Sequence, residues 1–169
     1  MKVINFYGGP SSGKSTTAAG LFFNMKSLGI NCELVSEYAK KLAWEKNNKL
    51  CMDQLYVTAK QNRGLERLRG QVDYAITDSP LPLAIHYAGD YHLQSFETLV
   101  MELFNSYDNI NFFINRKKAY NPAGRFQTED QAVLIDSAIK KLMYKHNILF
   151  TEVDGDEQVV EVILKHLKI

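Results

Sequence analysis

Apolar residues along the chain alternate between short runs of β-forming residues and longer segments with helical spacing. The short runs predict five strands: residues 2–7, 31–36, 72–77, 110–115 and 148–153. After the first run, Ala18, Leu21 and Met25 recur three to four positions apart, which predicts a helix that ends at Gly29. The pattern therefore predicts a first strand that is followed by a helix.

Helical segments are also predicted between the later strands. They cover residues 37–47 and 52–69, a stretch near Leu83, and residues 95–104. Thr128 and Gln131 stand three apart and predict a capping box at the start of another helix. Asp156 is expected to cap a terminal helix. Strands that alternate with helices predict a parallel sheet with helices on both faces, and a ligand site at the carboxyl ends of the strands.

Composition narrows the function classes. The 169 residues contain no internal repeat or linker, so we expect a single domain over 1–169. Lys and Arg number 20 against 19 for Asp and Glu, a balance that argues against a broad nucleic-acid-binding surface. Cys32 and Cys51 lack metal-ligand spacing and are expected to be reduced thiols. No apolar run is long enough for a membrane span, so we expect a cytoplasmic protein without membrane contact.

The strongest motif follows the first predicted strand and opens the first helix. Gly8-Gly-Pro-Ser-Ser-Gly-Lys-Ser15 matches G-x-x-x-x-G-K-[ST], the Walker A pattern of a P-loop. Its backbone amides would hold the phosphates of ATP, while Lys14 would reach the β- and γ-phosphates and Ser15 would bind Mg²⁺. The expected nucleotide-binding residues are Gly8, Gly9, Ser11, Ser12, Gly13, Lys14, Ser15 and Thr16. A glycine-rich turn that merely connects strand to helix is the alternative, but the motif lies in its required context.

Together these observations predict a three-layer P-loop NTPase fold with a five-stranded parallel sheet. Asp78 follows the third predicted strand, where P-loop proteins carry a carboxylate that holds Mg²⁺ directly or through water. We therefore expect Asp78 to be a metal ligand that also borders the substrate. The alternative is a turn, since Asp-Ser-Pro is a favourable turn sequence.

The polar segment 116–127 predicts an arginine-bearing lid. A GTPase would carry Asn-Lys-x-Asp after the fourth strand, whereas this chain has Asn115 followed by Arg116, Lys117 and Lys118. Phosphotransferases use mobile arginines to exclude water and to neutralise the transferring group. Arg116 and Arg125 are therefore candidate catalytic residues. A solvated basic loop is the alternative.

Further candidates lie near the expected acceptor. Glu37 follows the second predicted strand and could accept the proton of a substrate hydroxyl, although it could equally be a favourable helix-start residue. Gln61 and Arg63 lie on the helix before the third strand, where an amide could read a base and a guanidinium could bind a sugar or phosphate. Surface positions on a long helix are the alternative for both residues.

Several of these segments resemble one family in order and spacing. They are 8–16, 36–42, Gln61, Asp78 and Gly124-Arg125. The family is the ribosylnicotinamide-kinase domain of the bacterial NAD-salvage regulator, with its stand-alone, often phage-encoded AAA-type ATPase relatives. The resemblance is most specific in 8–16 and in Glu37-Tyr38.

This resemblance implies phosphate and Mg²⁺ roles for Gly13, Lys14, Ser15 and Asp78. It also implies a substrate or base role for Glu37, beside Tyr38, and a lid role for Arg125. Deoxynucleoside kinases have a similar layout, with a glutamate after the second strand and a base-reading glutamine on a later helix. Ser79-Pro80 after Asp78 departs from the acidic pair typical of the family.

We therefore predict an ATP-dependent kinase that phosphorylates a hydroxyl or phosphate of a nucleoside or nucleotide. One alternative keeps this chemistry but uses a nucleic-acid acceptor, either a DNA 5′ end or a hydroxymethylated base. A third hypothesis is a nucleotide-binding sensor or ATPase that acts through a partner. The acceptor and the oligomeric state stay open.

Overall fold

The computed structural model describes residues 1–89, 93, 95–117, 119–120 and 128–169. Its strands form one five-stranded sheet in the order β2-β3-β1-β4-β5. They are β1 (Lys2–Tyr7), β2 (Cys32–Val35), β3 (Tyr74–Thr77), β4 (Asp108–Asn115) and β5 (Thr151–Asp154). Every adjacent pair is parallel. The predicted strands and their parallel arrangement are confirmed.

Helices follow the strands and cover both faces of the sheet. They are α1 (Lys14–Ser27), α2 (Tyr38–Trp44), α3 (Asn48–Met52), α4 (Gln54–Glu66), α5 (Leu83–Ala88), α6 (Ser95–Asn105), α7 (Glu129–Lys145) and α8 (Val159–Leu167). None of the helices in these ranges is long and apolar enough to cross a lipid bilayer.

The central strand β1 shows why the protein has three layers. Its side chains alternate between the two faces, and Val3 and Tyr7 pack with Ile139 of α7 in one buried cluster. Ile4 and Phe6 belong to a second cluster with side chains from α1 and α8. A strand that is apolar on both faces needs cover on both sides, and the helices supply it.

Several predicted bounds and caps differ from the structure, among them the following three. The predicted helix over residues 52–69 is interrupted at Asp53, whose side chain accepts a hydrogen bond from the Tyr56 amide at 3.0 Å and so begins α4 after α3 has ended. The fifth strand starts at Thr151 rather than at residue 148. Gln158, not Asp156, occupies the cap position of α8, while Asp156 accepts from the Gln158 amide in the preceding turn.

The predicted capping box is confirmed. The Gln131 amide donates to the Thr128 hydroxyl at 3.3 Å, and the Thr128 amide donates to the Gln131 side chain at 2.8 Å. This box sets the start of α7 directly after the segment predicted as a lid.

Candidate active site

The P-loop lies between β1 and α1, at the carboxyl edge of the sheet. Gly13 caps α1 with φ at 104°, a left-handed conformation that a residue with a Cβ adopts only under strain. Ser11 is also left-handed, with φ at 65°. These turns deliver the chain to the start of a 14-residue helix, whose positive dipole end faces the loop.

The Lys14 side chain folds back and binds the backbone of the P-loop. Its ammonium donates to the carbonyl oxygens of Gly8 at 2.6 Å and Gly9 at 2.8 Å. Burial lowers the pKa of Lys14, and the nearby carboxylates of Glu37 and Asp78 oppose that shift. The ammonium thus lies close to the two carboxylates predicted to serve the reaction.

Asp78 joins the ends of β2 and β3. It is 4% exposed, and its Oδ1 accepts a hydrogen bond from the Glu37 amide at 2.9 Å. Ser15, Glu37 and Asp78 line the same cavity of about 210 Å³. Mg²⁺ prefers hydroxyl and carboxylate oxygens and takes its remaining ligands from phosphates and water, so Ser15 and Asp78 fit this ion.

Glu37 stands at the junction of two cavities. It precedes α2 in the cap position, but its side chain makes no capping hydrogen bond. It lines both the small cavity beside Ser15 and a larger one that begins at the P-loop. Its side chain therefore does not cap α2 by a hydrogen bond, although its charge lies at the positive end of that helix.

The larger cavity has a volume of about 620 Å³ and extends from the P-loop between α2, α4 and α5. Its wall away from the loop includes Ala43, Met52, Val57, Leu81, Leu83 and Ala84. Gln54 and Thr58 add polar groups, and the buried Thr58 hydroxyl has no hydrogen-bond partner within the described residues. Burial, with the charge of Glu37, raises the pKa of the lining Tyr87 far above its usual value, so its phenol stays protonated.

Gln61 holds α2 and α4 to the sheet. It is 4% exposed; its Oε1 accepts from the Tyr38 amide at 3.0 Å and its Nε2 donates to the Thr77 hydroxyl at 3.2 Å. Gln61 also lines the larger cavity. Its predicted place beside the substrate is thus compatible with the structure, but its amide is already engaged within the protein.

Two predicted substrate residues lie elsewhere. Arg63 is exposed on α4 and does not line either cavity. The Tyr38 side chain is also absent from both linings, and its hydroxyl is 2.9 Å from the Tyr56 hydroxyl. The structure therefore brings neither side chain to the predicted acceptor site.

Arg116 is held beside the P-loop rather than over the cleft. Its Nη2 and Nε donate to Asp136 Oδ2 at 2.9 and 3.3 Å, while Asp136 Oδ1 accepts from the Gly9 amide. Arg116 lines neither cavity in this conformation. The other predicted lid arginine, Arg125, lies outside the described residues, so the lid itself stays a prediction.

Sequence reasoning missed Asp136, although α7 carries a signal for it. Ala132, Ile139 and Met143 are fully buried and form the inner stripe of this helix. Asp136 lies four residues after Ala132 and three before Ile139, so it belongs to the same stripe. A carboxylate in a buried stripe needs a partner, and here it has two.

The glycine-rich loop between a central strand and a helix, on a five-stranded parallel sheet, defines a protein of the P-loop NTPase fold. Residues 3–159 match the AAA domain family, and the chain belongs to that family. No curated protein matches the chain.

Solved structures agree with this fold. Deoxyadenosine kinase from M. mycoides with bound dATP is 18% identical, with a TM-score of 0.58 over 98% of this chain and 99% of that chain. A second structure of that enzyme, with the products dCMP and a flexible dCDP, is 16% identical, with a TM-score of 0.59 over 99% of both chains. At these identities the likeness establishes the shared fold, and the resemblance to ribosylnicotinamide kinases stays a prediction.

Proposed function

We propose that this protein is an ATP-dependent kinase that transfers the γ-phosphate to a hydroxyl or phosphate of a nucleoside or nucleotide. The observation that carries the proposal is the position of Glu37. This carboxylate lies where the cavity beside Ser15 and Asp78 meets the cavity of about 620 Å³. A carboxylate between a metal-type site and a ligand-sized cavity is arranged for transfer to a second substrate.

The P-loop residues would bind the donor. Amides of the loop and the start of α1 would hold the phosphates, and the Lys14 ammonium would exchange its contacts with Gly8 and Gly9 for phosphate oxygens. Ser15 and Asp78 would hold Mg²⁺, which neutralises charge on the phosphates. These interactions orient ATP with its γ-phosphate toward the larger cavity.

Glu37 would act on the acceptor. As the acceptor oxygen forms its bond to the γ-phosphorus, the bond from that phosphorus to the bridging oxygen breaks and ADP leaves. When the acceptor is a hydroxyl, its proton passes to the Glu37 carboxylate. Arg125 is the proposed source of further positive charge around the transferring group, and Arg116 would join it only after release from Asp136.

The larger cavity suits a small polar acceptor with an apolar face. Its volume, which includes the space over the P-loop, falls in the usual range of small-ligand sites, and Thr58 and Gln54 offer polar contacts beside the apolar side chains of its wall. The fold shared with deoxyadenosine kinase supports a deoxynucleoside among the candidates. Nicotinamide riboside remains a candidate through the resemblance found in the sequence.

The test is transfer from γ-labelled ATP with Mg²⁺ to a panel of acceptors. The panel contains nicotinamide riboside, ribo- and deoxynucleosides, their monophosphates, and single- and double-stranded DNA with and without hydroxymethylated bases. Label on one small acceptor supports the proposal. Label on DNA would favour the nucleic-acid kinase, and free phosphate released at a rate that no acceptor changes would favour the sensor or ATPase.

Two lysine variants on α1 provide a matched control. Lys14→Ala should abolish transfer and leave the melting temperature close to that of the parent. Lys26→Ala removes the same charge near the other end of α1, where Lys26 pairs with Glu33 on the surface, and should retain full activity. A near-full rate for Lys14→Ala would remove the central claim.

A further inference from the structure

One carboxylate contacts both the backbone of the P-loop and the guanidinium of Arg116. Asp136 Oδ1 accepts from the Gly9 amide, and Oδ2 accepts from Arg116 at 2.9 Å. Both side chains are largely withdrawn from solvent, with 13% of Arg116 and 18% of Asp136 exposed. We propose that Asp136 is a positioning residue of the phosphate site, a role that rests on the proposed function and adds a residue to it.

The close packing of α7 on the loop supports this role. A Cβ placed on Gly9 would lie 2.7 Å from the Ala132 carbonyl oxygen and 2.8 Å from Asp136 Oδ1. The loop backbone therefore rests directly on α7, and only glycine fits at this position. Asp136 accepts from the Gly9 amide on the side of the loop that faces α7. This bond would fix the path of the loop residues that follow Gly9.

The charge of the pair also reaches the phosphate site. Burial lowers the pKa of Lys14; among the smaller influences, the Asp136 carboxylate opposes this shift and the Arg116 guanidinium adds to it. An unpaired carboxylate behind the loop would repel a polyphosphate, and Arg116 cancels that charge. Asp136 can thus fix the loop without weakening anion binding.

The Arg116 guanidinium has hydrogen-bond donors beyond the two that Asp136 accepts. Its Nη1 is buried and has no hydrogen-bond partner within the described residues. Asp136 occupies the Nε and Nη2 positions and so sets the orientation of the guanidinium plane. The carboxylate consequently determines where the remaining donor of Arg116 points.

The experiment compares Asp136→Asn with Asp130→Asn. Both substitutions remove one negative charge from α7, but Asp130 is exposed in the first turn. Asparagine keeps an oxygen for the Gly9 amide, whereas its own amide faces Arg116 as a second donor and breaks the ion pair. Dissociation constants for ATP are measured by calorimetry, with the KM of the acceptor and the melting temperature measured in parallel.

We expect Asp136→Asn to weaken ATP binding about tenfold or more, as for loss of a charged hydrogen bond, and to leave the KM of the acceptor unchanged. Asp130→Asn should match the parent. Asp136→Ala should weaken ATP binding further, because it also removes the oxygen that accepts from the Gly9 amide; if that variant does not fold, Asp136→Asn still tests whether the ion pair with Arg116 positions the site.

Two results would overturn the inference. Parent-like ATP affinity for both Asp136→Asn, which lacks the ion pair, and Asp136→Ala, which also lacks the oxygen for the Gly9 amide, would show that Asp136 does not set the loop. A parallel loss of ATP and acceptor affinity together with a large fall in melting temperature would show a general structural role. If the parent protein itself bound no ATP, the proposed function would fail first, which is a separate outcome from the failure of Asp136 alone.

Discussion

Replacement of Gln61 by leucine tests whether this residue is mainly a structural clamp. Leucine is similar in size but cannot accept from the Tyr38 amide or donate to the Thr77 hydroxyl, bonds of 3.0 and 3.2 Å in the folded protein. The Tyr38 amide would lose its partner at the start of α2. Thr77 would lose less, since its hydroxyl still accepts from the Ser79 amide at 3.1 Å.

The expected cost follows from these two losses. An unsatisfied amide costs about 1–3 kcal/mol and a weakened hydroxyl less, so Gln61→Leu should lower the free energy of unfolding by about 2–3 kcal/mol. For a protein of this length, each kcal/mol lowers the melting temperature by about 2–4 °C, which gives a fall of about 4–12 °C. Circular dichroism during heating measures it directly.

Arg63→Leu is the matched control, because Arg63 is exposed on the same helix. We expect it to change the free energy of unfolding by less than about 0.5 kcal/mol. If both variants melted at the same temperature, the clamp would be refuted. A changed acceptor KM without a changed melting temperature would instead identify Gln61 as a reader of the substrate.

Three further predictions concern other residues. Glu37→Gln should lower kcat by about 10²–10⁴ and leave ATP affinity unchanged, because the backbone amide that binds Asp78 is retained; unchanged kinetics would rule out a base. Thr128→Ala should lower the free energy of unfolding by about 1 kcal/mol through loss of the capping box, as measured in urea. Burial lowers the pKa of His86 in the folded protein. As the pH falls below about 6.5, the unfolded chain therefore binds a proton at this residue more readily than the folded protein does, and the free energy of unfolding decreases. The free energy of unfolding of His86→Asn should therefore fall less than the parent's between about pH 7 and pH 5.5, and an equal loss would contradict this.

Much of the fold could be predicted because its local signals are strong. The bounds of β1 agree with the prediction, since an apolar strand must end where the glycine-rich loop begins. The start of β5 could not be predicted in this way. Ile148 is 7% exposed and packs in the core, but the residue opposite the first position of the strand is Phe112, on another strand. Pairing with β4, rather than the local pattern, sets where β5 begins.

The candidate site likewise contains residues that local sequence patterns predicted and residues that they could not predict. Spacing within a short segment predicted the P-loop, and the structure places Lys14 and Ser15 at the start of α1, directly after that loop. The roles of Asp136 and Gln61 depend on partners far away in sequence, since Asp136 contacts Gly9 from 127 positions further along the chain. Periodicity indicates that such residues are buried, but it does not name the groups that they meet.

The pairing of β1 has a consequence for how the chain is made. Lys2 stands opposite both Tyr74 and Asp108, so β1 lies between two strands that are synthesised well after it. Contacts of such long separation slow folding, and one edge of β1 lacks its partner until β4 has emerged. The segment that would hold the nucleotide is therefore translated before both strands that flank β1 in the sheet.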